Sequence, residues 1–164
     1  MTRGSVVPAA GRVIGIYVAA FRGELPVAVK AVAALAGAGL AGDRYASGRG
    51  TWSNWPGTGR EVTLIAAEAL ESLPESCRLT PAEARRNLVT RGVDLDALVG
   101  RDFRIGGARL RGRRPCEPCR HLEALTRPGV AARLRGRGGL RADVLVSGLI
   151  WCGDFLEVLP RAAP

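Results

Sequence analysis

The chain has 164 residues, with 24 Lys and Arg against 15 Asp and Glu, for a net charge of +9. That length buries a real core without disulfide or metal staples, and an apolar content of 47% excludes disorder over most of it. No run approaches the roughly 18 to 20 apolar residues that span a bilayer. The N-terminus has no secretory signal in usable order, and four cysteines do not make a disulfide scaffold, so a cytoplasmic protein is expected.

Residues 1–11 read as a loose leader and 12–160 as a single domain. Arg12 to Ala20 alternates as a strand does. Val27 to Leu35 fits a strand or a short helix. Gly42 to Gly59, rich in Gly, Trp, Ser and Pro, reads as a long loop, which in a compact domain is usually functional. Trp52 and Trp55 on it are candidates to cap a cleft. Val62 to Ile65 is a short apolar run, and Ala66 to Leu73 follows at helical spacing.

Thr80-Pro81-Ala82-Glu83 is a capping box that predicts a brief helix carrying Arg85 and Arg86 to about Asn87. One helical turn is expected at Leu95 to Leu98, and a hairpin pairs Phe103–Ile105 with Ala108–Arg111 around Gly106-Gly107. Pro118 suits the first turn of a helix over Cys119 to Leu125. A further helix is predicted over Gly129 to Leu134, stopped at Gly136. Strands close the chain at Arg141–Val146, Leu149–Trp151 and Phe155–Leu159. Short strands with helices inserted between them, not alternating with them, argue against a doubly wound sheet. The expected fold is mainly β with short helices, a mostly antiparallel barrel.

The segment from Arg113 to Leu122 is the chemically richest. It holds Cys116 and Cys119 three apart, three arginines and the only histidine, His121. A thiol acts as nucleophile or metal ligand in its thiolate form, which guanidinium charge and helix N-termini stabilise. The excess charge lies here too: residues 101–141 carry twelve arginines against three acids, and the rest of the chain is neutral. That placement suits an anionic ligand. Cys77 and Cys152 read as inert packing residues. On a helix, His121 would point away from Cys119, two residues back.

These motifs, taken in order, resemble the MOSC domain, named for the C-terminal domain of molybdenum cofactor sulfurase. The likeness covers about residues 12 to 159. Val13-Ile14-Gly15-Ile16 is similar to the family's opening strand and Gly42-Asp43-Arg44 to its Gly-Asp-Arg loop. Arg60-Glu61-Val62-Thr63-Leu64-Ile65 resembles the strand before its first helix, and Arg86 to Asp94 its signature loop. Leu98-Val99-Gly100, Phe103 to Gly106, Gly139 to Val144 and Gly153-Asp154 follow in the family's order. Pro118-Cys119-Arg120-His121-Leu122 fits its Pro-Cys-x-x-Leu pattern, with Pro115-Cys116 a competing alignment.

The resemblance implies a MOSC-type β-barrel and a site for a molybdenum cofactor or a sulfur-containing intermediate. It implies Cys119, or else Cys116, as metal ligand or sulfur carrier. Thiolate is the soft donor that molybdenum accepts, and arginine forks suit the phosphate that ends its pterin. Arg86, Asn87 and Thr90 are the implied cofactor contacts, with Arg44, Asp43 and Arg114 as further ones. Asp43 and Arg44 equally suit a mutual pair that pins the loop.

The chain is expected to lack the additional N-terminal domain of larger relatives. It carries no haem, flavin or iron–sulfur motif, so a separate electron-donor or sulfur-donor protein is implied, with a small N-hydroxylated molecule as substrate.

Other readings stay open. Cys116-Glu117-Pro118-Cys119 is also a C-x-x-C motif of the thiol–disulfide oxidoreductase kind, although that fold carries it near the N-terminus. Structural zinc would need a second pair of ligands at matching spacing. Nucleic acid is an unfavoured partner, because Phe103 is the only aromatic residue in the basic region to offer a stacking platform.

Overall fold

The structure is a computed structural model and describes residues 10–51, 53–54 and 57–164. Trp52 and Trp55 lie outside the described residues.

Among the described residues, eleven strands and three short α-helices make up the main elements. They are β1 (Gly11–Val18), β2 (Val27–Val29), β3 (Ala31–Leu35), β4 (Gly39–Leu40), β5 (Val62–Ala66), α1 (Ala67–Glu71), β6 (Leu88–Arg91), β7 (Asp102–Ile105), β8 (Ala108–Pro115), α2 (Arg120–Leu125), α3 (Val130–Leu134), β9 (Leu140–Val146), β10 (Gly148–Trp151) and β11 (Phe155–Val158). One sheet runs β11-β7-β8-β9-β5-β6-β1-β2, and β1 also pairs with β11. That last pairing closes seven strands into a barrel and leaves β2 as a flap on β1. Every pairing in the barrel is antiparallel except β5 with β6. A second sheet, β10-β3-β4, makes up the rest.

Side-chain alternation explains the two cores. Val62 and Leu64 of β5 and Leu88 of β6 point into the barrel with Phe103, Ile105, Leu110 and Leu140. Ile65 and Val89 point the other way, into a second cluster with Leu70, Leu73, Leu122, Val130 and Leu134 from the helices. β5 is therefore covered on both faces, and its near-continuous apolar run is what such a strand requires.

Several expectations hold. The hairpin at Gly106-Gly107 forms in the register Phe103↔Leu110 and Ile105↔Ala108, and Asp96–Leu98 is a 3₁₀ turn. Val27–Leu35 resolves into two strands broken at Lys30.

Others need correction. The capping box does form: the Thr80 amide donates to Glu83 Oε1 at 2.9 Å and the Glu83 amide to Thr80 Oγ1 at 3.2 Å. It opens a single turn, though, not a helix to Asn87. Arg85 takes a left-handed backbone (φ 58°), which ends the turn and turns the chain into β6. The loop-like segment after Asn87 is in fact β6, held in the barrel between β5 and β1.

Candidate functional site

One cleft, about 70 Å³ in volume, gathers residues that are far apart in sequence. Arg44, Tyr45 and Thr51 come from the long loop, Arg85 and Arg86 from the turn before β6, and Thr63 from the outward face of β5. Cys116, Glu117, Cys119, His121 and Leu122 come from the β8–α2 connection and the start of α2, and Arg141 from β9.

The two thiols are presented differently. β8 ends at Pro115, paired with Leu140, and the Cys116 amide then donates to the Gly139 carbonyl at 2.8 Å. This holds Cys116 inside the protein, while Cys119 is exposed, and both are free thiols. Cys119 caps α2 with an extended backbone (φ −127°, ψ 169°) and is not in its first turn as expected. The helix has six residues, too short for a macrodipole argument to carry weight. Because Cys119 precedes the helix, the helical spacing that would separate it from His121 does not apply, and both line the cleft.

Gly138 ties the thiol segment to the arginines. Its carbonyl accepts Arg86 Nε at 3.0 Å, and a Cβ at this position would lie 2.7 Å from Pro118 Cδ and closer still to the Cys116 carbonyl. Arg86 is buried and also donates through one terminal nitrogen to the Ala84 carbonyl at 3.3 Å. Among the described residues, Arg85, Arg86 and Arg141 form no salt bridge. Arg44 lies 3.5 Å from Asp43 and 5.1 Å from the centre of the Tyr45 ring. Burial, then the neighbouring charges of Arg44 and Arg86, hold the Arg85 guanidinium below its ordinary pKa. Burial and the charge of Arg141 do the same to Arg114, which is exposed and does not line the cleft.

Other sequence-predicted contacts serve the frame. Asp43 is buried and accepts the Ala19 amide at 3.1 Å and the Tyr45 amide at 3.3 Å, so it pins the loop. Asn87 Oδ1 accepts the Thr63 amide at 3.0 Å and its hydroxyl at 3.2 Å, and Nδ2 donates to the Tyr17 carbonyl at 3.1 Å. Thr90 is fully buried, its hydroxyl 3.5 Å from the Ile65 carbonyl. Neither Asn87 nor Thr90 lines the cleft. Cys77 packs as expected, but Cys152 is exposed on the turn after β10, 3.2 Å from the Ile14 carbonyl.

The basic region also disperses in space. Arg109 and Arg111 pair with Asp102, Arg104 with Glu157, Arg113 with Asp143 and Arg127 with Glu83. Of that region's arginines only Arg141 lines the cleft, and the other three cleft arginines come from outside it. Arg85, on the capping-box segment, and Arg141, within the Gly139 to Val144 motif, were given no site role by the sequence.

Two residues along β9 from Arg141, Asp143 accepts the Gly59 amide at 2.8 Å and Arg113 Nε at 2.7 Å. Glu61 also hydrogen-bonds to Asp143, and its carboxyl is pushed up to about 8, first by burial and then by that bond and the charge of Asp143.

Among the described residues no three His, Cys, Asp or Glu side chains converge on a metal position. A metal here would need most of its donors from its own cofactor.

A small closed barrel with a thiol and arginine cleft on its outer wall is thus the architecture to be matched. The chain belongs to the MOSC domain family, whose model matches residues 53–157. The fold is similar to that of the YuaD protein from Bacillus subtilis, at 20% identity and TM-score 0.75, covering 90% of this chain and 94% of that one. It is also similar to YiiM from Geobacillus stearothermophilus, at 17% identity and TM-score 0.71, covering 92% and 76%. YiiM from Escherichia coli is similar at 21% identity and TM-score 0.65, covering 93% and 72%. No curated protein matches the chain. Among the described residues, no helix is long and apolar enough to cross a membrane.

Proposed function

We propose that the cleft binds a molybdenum cofactor of the pterin type, with Cys119 as the single protein ligand to the metal. The observation that carries this is the meeting of one exposed thiol with Arg44, Arg85, Arg86 and Arg141 in one cleft. Soft sulfur suits molybdenum, and crowded guanidiniums suit a phosphate, which they can grip through paired N–H donors. Arg86 is the best-held of them, anchored on two carbonyls. Asn87, Thr90 and Asp43 support the site as its frame, and Arg114 adds positive potential nearby. Bound there, the cofactor would supply two-electron redox chemistry. The substrate would be a small N-hydroxylated molecule, with electrons from a separate donor protein.

A second reading is favoured by Cys116, a buried thiol lining the same cleft as Cys119. In it Cys119 carries a sulfane sulfur, delivered by a sulfur-donor protein and destined for a metal centre.

Elemental analysis tests the first reading. Protein made in a host that synthesises the cofactor should contain molybdenum, and Cys119→Ala should contain none. Equal metal in both would sink the assignment of Cys119.

A further inference from the structure

We infer that Cys116 is a resolving thiol for sulfur carried on Cys119. It attacks Sγ of a persulfidated Cys119, forms a Cys116–Cys119 disulfide and expels the outer sulfur into the cleft as hydrosulfide. This rests on the sulfur-carrying reading and adds a way for the sulfur to leave.

Three observations support the assignment. The thiols are asymmetric: Cys119 is open to a donor, whereas Cys116 is 1% exposed and out of a donor's reach. Both nevertheless line one cleft, so the buried thiol has access to its neighbour. The four residues from Cys116 to Cys119 are irregular, lying between the end of β8 and the start of α2. Neither Glu117 nor Pro118, the two residues between the thiols, belongs to a strand or helix. The backbone anchors sit at the two ends of the segment, the Cys116 amide donating to the Gly139 carbonyl and the Glu123 amide to the Cys119 carbonyl.

Thiol–disulfide exchange proceeds by thiolate attack on one sulfur of an S–S bond, the other leaving with the electron pair. Here the bond between Cys119 Sγ and the outer sulfur breaks and the Sγ–Sγ bond forms. The outer sulfur is reduced to sulfide, the two cysteine sulfurs end as a disulfide, and the Cys116 proton leaves with the sulfide. The arginines lining the cleft favour the departing anion. A small dithiol reductant restores both thiols.

The test uses the full chain with Cys152→Ser, which removes the other exposed thiol. Reduced protein is treated with sodium tetrasulfide, desalted, and followed by peptide mass mapping and a sulfide assay. The expected result is a Cys116–Cys119 disulfide with one equivalent of sulfide released. Cys116→Ser should instead retain the extra sulfur on Cys119, and Cys119→Ser should form neither product. Cys116→Ala, checked by circular dichroism, covers the case in which serine is not tolerated at the buried position. If protein with both thiols keeps its extra sulfur and forms no disulfide, the resolving role is overturned while sulfur carriage stands. If Cys119 acquires no extra sulfur in any variant, sulfur carriage fails and the resolving role falls with it.

Discussion

The Gly138 carbonyl holds Arg86 Nε at 3.0 Å while the Gly138 Cα packs against the Cys116–Pro118 backbone, so one residue fixes an arginine and the thiol segment together. Gly138→Ala would place a Cβ 2.7 Å from Pro118 Cδ and against the Cys116 carbonyl. Overpacking of this kind costs about 2 kcal/mol. Urea unfolding should show that loss, and the reaction rate of Cys119 with a thiol reagent should change with it, since the two are mechanically joined. An unchanged rate would mean the thiol segment is not held from Gly138.

Asn87 is predicted to matter for stability more than for ligand contact. Its Oδ1 is the acceptor for both the amide and the hydroxyl of Thr63 in a buried position. Asn87→Ala strands those donors, at a cost of about 3 kcal/mol for several lost bonds. Chemical denaturation measures it; a loss below about 1 kcal/mol would show that water replaces the side chain.

Glu61 makes stability depend on pH. Its carboxyl is pushed up to about 8 from an ordinary 4.5, by burial first and then by Asp143, against the opposing Val144 amide and Arg113. A raised folded-state value means the folded protein binds this proton more tightly than the unfolded chain. The stabilisation is complete below about 4.5 and is lost as pH rises through about 8. Thermal melts of the wild type should fall over that window relative to Glu61→Gln, which stays neutral. Parallel curves would contradict the shared proton.

Arg85 trades stability for position. Its left-handed backbone is the only positive φ at a non-glycine residue among the described residues, and such a conformation costs roughly 1 kcal/mol. Arg85→Gly should therefore stabilise the fold by about that amount while weakening binding of inorganic pyrophosphate. Denaturation and isothermal titration separate the two effects; unchanged pyrophosphate affinity would remove Arg85 from the site.

Local signals explain which elements were legible in the sequence. The β7–β8 hairpin could be read because two glycines separate runs whose alternation survives in the burial of Phe103, Ile105, Ala108 and Leu110. β6 could not, since Leu88 to Arg91 is four residues long and owes its strand state to β5 and β1 on either side. The capping box was read correctly as chemistry and wrongly as length, because its two hydrogen bonds need only one turn. For the site, the thiol segment was visible, and so were Arg44 and Arg86 through the family motifs that hold them, but Arg85 and Arg141 were not. Charge density along the chain pointed to residues 101–141, where four arginines, Arg104, Arg109, Arg111 and Arg113, are instead paired with acidic partners on neighbouring strands. Arg85 reaches the cleft through a backbone conformation that no residue preference announces.

Loop, turn, connection and strand each contribute part of the cleft, from Arg44 to Arg141. No contiguous fragment could therefore assemble a binding site, and ligand capture is thermodynamically linked to completion of the whole fold. A molecule that occupies the cleft should act as a keystone, raising the unfolding temperature with its concentration because the unfolded chain offers it nothing comparable.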